Sequence, residues 1–125
     1  QYGMHIGTAF QLIDDVLDLS GNVLEIGKNL GDDLNEGKPT LPLLFAMRHG
    51  TPAESHAIKH AITHGGLQDF STILSAVERT GALQHVRLMA EKEAALALVA
   101  IQHIAESPYK TALQNLAEFA VKRNY

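Results

Sequence analysis

Three carboxylates stand close together near one end of the chain, in Phe10-Gln11-Leu12-Ile13-Asp14-Asp15-Val16-Leu17-Asp18. On a helix, Asp14 and Asp18 fall one turn apart on one face, and Asp15 lies beside them, three residues before Asp18. Like charges at that spacing repel, so the helix loses stability or one acid takes a proton. A Mg²⁺ ion removes the conflict: it takes oxygen ligands, keeps several waters, and shares one or two carboxylates with a substrate phosphate. The same spacing also fits an acidic face open to water. A calcium loop is the poorer reading. The window from Asp14 to Glu25 has acids at positions 1, 5 and 12, but Val16 stands at position 3 and Leu19 where the turn needs Gly.

A second constellation follows in Gly27-Lys28-Asn29-Leu30-Gly31-Asp32-Asp33-Leu34-Asn35-Glu36-Gly37-Lys38-Pro39-Thr40. Glycines let backbone approach a ligand, and two lysines supply ammonium donors, a combination that suits a diphosphate. The spacing is not that of a nucleotide-binding phosphate loop, and no strand precedes it. Taken alone, it reads rather as a polar surface loop. His56, His60 and His64 recur every four residues. Three imidazoles spread over two turns do not readily close on one ion, so they read as a wet surface stripe. His5, His49, His85 and His103 have no sequence neighbours that give them a role.

Helices must position these groups. Residues 4 to 18 carry Ile6, Ala9, Phe10, Ile13, Val16 and Leu17 at spacings of three and four. Ser20-Gly21-Asn22 ends that helix, and a long loop over about 20–40 follows. Thr40-Leu41-Pro42 opens a helix that Gly50 closes. Thr51-Pro52-Ala53-Glu54 is a capping box with proline at the first helical position. Gly65-Gly66 and Gly81 bracket a helix over 67–79. The longest segment, 82–105, places Leu83, Val86, Ala90, Ala94, Ala97, Ile101 and Ile104 on one stripe. Ser107-Pro108 caps the last helix, which carries Leu113, Leu116 and Ala120 toward Tyr125. No β-alternation, internal repeat or low-complexity tract interrupts this all-α pattern.

Composition narrows the function classes. The 125 residues make one domain, 46% hydrophobic but only 6% aromatic and without Trp, so Leu, Ile, Val and Ala must fill the core. The absence of Cys excludes disulfides, thiolate zinc sites and a thiol nucleophile, and fits a reducing, cytoplasmic setting. No apolar run is long enough for a membrane span. Residues 1–38 hold seven acids and two bases, against seven acids and eight bases in the remainder. An acidic third is a poor nucleic-acid surface but a good seat for a hard divalent cation. A first residue of Gln, with no basic region before an apolar stretch, reads as a partial chain without a signal peptide.

Together the two constellations are distinctive. FQLIDDVLD followed by GKNLGDDLNEGKPTLPLL resembles the C-terminal portion of the trans-isoprenyl diphosphate synthases, nearest the bacterial polyprenyl (octaprenyl) group that makes quinone side chains. The resemblance runs over the whole chain. It implies the orthogonal helical bundle of isoprenoid synthases, normally a homodimer, and a condensation of isopentenyl diphosphate with an allylic diphosphate. It places Mg²⁺ on Asp14, Asp15 and Asp18, with Asp14 the principal ligand, and Gln11 near the reacting allylic end. It also places Lys28 on the diphosphate, Asp32 and Lys38 on a loop covering the site, and Lys122-Arg123 in a basic ending near the second substrate.

The first aspartate-rich motif of that family, an arginine pair beside it, and an upstream lysine and arginine for isopentenyl diphosphate are absent. Asp32-Asp33 does not repeat the DDxxD spacing. Residues 1–125 thus read as under half of one catalytic domain, inactive alone. The apolar stripe of residues 4–18 is expected to be left open and to be covered by another chain. Two alternatives are a non-catalytic helical module that binds a partner through that stripe, and a terpene cyclase on the same fold. Cyclases carry an Asn/Ser/Glu metal triad at this position, which the intact DDVLD opposes.

Overall fold

The computed structural model describes residues 1–20, 37–65 and 68–122. Among them are six helices and no strand: α1 (Tyr2–Ser20), α2 (Leu41–His49), α3 (Pro52–His64), α4 (Phe70–Thr80), α5 (Ala82–Ile101) and α6 (Pro108–Lys122).

The local signals act as their chemistry requires. At Thr51 the backbone N–H donates to Glu54 Oε1 (2.8 Å) and Glu54 N–H donates back to Thr51 Oγ1 (3.2 Å), which completes the capping box. Gly65 and Gly81 take positive φ at the ends of α3 and α4. Ser107 Oγ accepts from Lys110 N–H and starts α6. The long helix ends at Ile101 rather than 105. There the N–H of Gln102 turns back to Val99 and that of Ile104 to Ile101, while Lys110 Nζ donates to the Gln102 carbonyl (3.3 Å). A largely buried ammonium thus satisfies a carbonyl at the negative end of the helix.

α1 packs along α5 and also touches α6. One apolar cluster joins Ile6 and Ala9 to Ala94 and Ala97 of α5 and Ala117 and Ala120 of α6. A second joins Leu12, Ile13, Val16 and Leu17 to Val86 and Ala90. Alanine on the facing helices lets the backbones approach closely, which is how a core with few aromatics is filled. Tyr2 Oη donates to the Leu113 carbonyl (2.6 Å), and Arg87 Nη1 to the Val121 carbonyl (3.2 Å), tying α6 to its neighbours. A third cluster gathers α2, α3 and α4 around Leu43, Ile58, Ile73 and Val77, and Leu19 at the end of α1 enters it.

This packing corrects one expectation. The stripe on α1 is not open: Ile6, Ala9, Ile13, Val16 and Leu17 are all buried, and α5 and α6 of the same chain cover them. The ground for expecting another chain on that stripe is gone, because the alanine faces of α5 and α6 fit it. On α6, Ala117 and Ala120 are buried and Leu113 is half-buried, while Leu116 is exposed. The calcium-loop alternative also fails, because its first seven positions, Asp14 to Ser20, are helical.

Candidate functional site

The aspartates occupy the last two turns of α1. Asp14 is half-buried, Asp15 is 7% exposed and Asp18 only 2%. They are therefore not a solvated acidic face. The exposed Gln11 amide donates to Asp15 Oδ1 (3.0 Å), one turn along the helix. That bond leaves the carboxylate its charge and fixes its direction.

The start of α2 packs near the end of α1. Leu19, next to Asp18, and Leu43, in the first turn of α2, share one core cluster. Residues 21–36 run between these two joined points, and Lys28 and Asp32 lie outside the described residues. Of the motif, Gly37, Lys38, Pro39 and Thr40 are described. Gly37 takes φ +76°, and a Cβ there would stand 2.9 Å from the Ile62 carbonyl oxygen and 3.6 Å from Gly65 Cα. Glycine is required twice over, for the left-handed backbone and for the close approach to the last turn of α3. Thr40 is buried as the N-cap of α2, and its N–H is bonded to the Lys38 carbonyl (3.0 Å). Lys38 is exposed. Lys122 is paired with Glu118 (2.8 Å), and Arg123 lies outside the described residues.

As a donor set, Asp14, Asp15 and Asp18 offer hard oxygen ligands from one helix end. Among the described residues, no three His, Asp or Glu side chains converge on one ion. The set fits an ion that takes one or two protein carboxylates and completes its shell with water and phosphate, which is the habit of Mg²⁺.

Several partners were not legible in the sequence. His5 Nδ1 lies 3.0 Å from Glu93 Oε1, a pair separated by 88 residues. Phe45 stacks between His49 and His85, with ring centroids at 4.2 and 4.4 Å. These three rings line a groove of about 480 Å³ with Leu41, Arg48 and Met89, between α2 and α5.

Six helices with no strand among the described residues, the first ending in an aspartate cluster, are the architecture of the isoprenoid-synthase bundle, as a solved neighbour shows. The polyprenyl synthase of Caulobacter crescentus CB15, solved with calcium and isoprenyl diphosphate, superposes with a TM-score of 0.90 at 38% identity, over 99% of this chain and 38% of that one. A family model described as polyprenyl synthetase matches residues 1–80, and the chain belongs to that family. The octaprenyl diphosphate synthase of Escherichia coli (strain K12) is 49% identical over 124 residues, 98% of this chain and 38% of that protein. That of Haemophilus influenzae is 49% identical over 125 residues, 99% of this chain and again 38% of the relative. The chain thus spans about two fifths of the length of these relatives.

Proposed function

We propose that these residues form the part of a trans-polyprenyl diphosphate synthase that holds the allylic diphosphate, in an enzyme that makes octaprenyl diphosphate for quinone side chains. The observation that supports this reading is the aspartate cluster in the last two turns of α1, two of whose three carboxylates are buried. The identity with two octaprenyl diphosphate synthases supports the product class.

In this reading the C–O bond of the allylic diphosphate breaks, the isopentenyl double bond attacks the resulting cation, and loss of a proton restores a double bond. Mg²⁺, taking one or two of the carboxylates of Asp14, Asp15 and Asp18, would neutralise charge on the departing diphosphate. Lys28 and Lys38 donate to diphosphate oxygens, where charge grows in the transition state. Preorganised contacts of this kind are worth about 3–4 kcal/mol each. Asp32 belongs to the same sequence motif and assists in binding the diphosphate. Gln11 lies one turn before Asp15, at the allylic end, and holds that carboxylate in place. The buried apolar helix behind the cluster keeps water from the cation. The intact enzyme works in the cytoplasm as a homodimer.

The experiment is isopentenyl elongation with farnesyl diphosphate and Mg²⁺. The uninterrupted reading frame containing these residues yields octaprenyl diphosphate, and the 125-residue chain alone yields no elongated product. Elongation by the isolated chain, or none by the intact protein, overturns the reading.

A further inference from the structure

Away from the aspartates, α3 carries a different chemistry. His56, Lys59, His60, Thr63 and His64 line a shallow hollow of about 270 Å³ on its outer face. The His60 and His64 rings lie against each other with centroids 4.4 Å apart and planes 25° from parallel. His64 Nδ1 is 3.3 Å from the His60 carbonyl oxygen. A carbonyl only accepts, so Nδ1 carries the hydrogen and a neutral His64 keeps its lone pair on Nε2. An imidazole whose one nitrogen is tied to a carbonyl presents the other in the form that ligates a metal.

We propose that His60 and His64 form a two-imidazole chelate for a borderline divalent ion, Zn²⁺ being the probe of choice. Residues four apart on a helix hold their Cβ atoms about 5–6 Å apart, and rotation of the His60 ring, with His64 kept on its carbonyl, brings both Nε2 atoms to one ion at about 2.0–2.1 Å. Three histidines over two turns cannot close on an ion, but two over one turn can, and His56 stays out of the pair. Water fills the remaining positions. No carboxylate lines the hollow, so the site has nothing for Mg²⁺, which seeks oxygen. Lys59 is exposed and its long stem lets the ammonium swing away from the bound cation. The proposal stands on α3 alone and is independent of the prenyl-transfer reading.

Calorimetric titration of the chain with ZnCl₂, in a buffer already containing millimolar MgCl₂ to saturate the aspartates, tests it. Binding of one Zn²⁺ is expected, weakened about tenfold or more by His60→Ala and by His64→Ala, and changed by less than about threefold by His56→Ala. Unchanged helical circular dichroism shows that each variant folds. No binding by the wild-type chain overturns the proposal. So does binding that survives both His60→Ala and His64→Ala, or that is abolished by His56→Ala alone.

Discussion

Asp15 and Asp18 are the aspartates whose surroundings depart from what their motif announces. The spacing DDxxD puts three acids near one another, but burial of two of them is a tertiary effect that no local pattern contains. The Gln11–Asp15 bond was within reach of sequence reasoning as an i, i+4 pair, whereas the His5–Glu93 pair was not, because 88 residues separate its members. Removing the amide in Gln11→Ala should cost about 0.5–1.5 kcal/mol in a urea melt, the net worth of one side-chain hydrogen bond; an unchanged midpoint would show that Asp15 is held by other groups. Lys28 belongs to the substrate side of the account. In the intact enzyme, Lys28→Ala should raise the KM for the allylic diphosphate and alter unfolding free energy by no more than about half a kcal/mol. A large drop in melting temperature with unchanged kinetics would make Lys28 structural.

Helices α2 and α3 were legible almost to the residue because each carries its own punctuation, Thr40-Leu41-Pro42 and Gly50, Thr51-Pro52 and Gly65; Gly81 marks the end of α4, but that helix starts at Phe70 rather than 67, where no capping side chain announces it. The end of α5 was not, since periodicity continues to Ile104 while the backbone turns at Gln102 to meet Lys110, a contact with another helix. The capping box at α3 gives a pH prediction. The Arg79 guanidinium, and then the Thr51 N–H, hold the Glu54 carboxyl below the usual glutamate range. A folded-state value below the unfolded one means stability that is present above about pH 4.3 and lost as pH falls through the folded value. Acid titration of Glu54→Gln should therefore lack a share of the wild-type loss at low pH; identical acid profiles would refute the role. Gly37 packs against the last turn of α3. Gly37→Ala should destabilise by about 1–2 kcal/mol through its left-handed backbone, with the close Ile62 carbonyl adding to the cost, and a neutral result in the same melt would show that Gly37 does not hold this conformation.

For the whole molecule, the fold class was legible and the location of the open surface was not. Periodicity shows that α1 has an apolar face, but which element covers it depends on the alanines of α5 and α6, whose small size says nothing about their partner. What lies open instead is the outer face of α5, where Leu88, Met89, Leu96 and Val99 are exposed. Self-association of the 125-residue chain should therefore run through α5: sedimentation should show a dimer or larger species that Leu88→Asp with Val99→Asp converts to monomer. A wild-type monomer at all concentrations would contradict this. The account as a whole rests on the aspartates of α1 acting on an allylic diphosphate. Its most direct test is isopentenyl incorporation by the intact enzyme, wild type against Asp14→Ala, with helical content checked in parallel. A loss on the order of 10²-fold or more with the fold intact is the predicted result; incorporation within about threefold of wild type would contradict the assignment of Asp14 and the reading built on it.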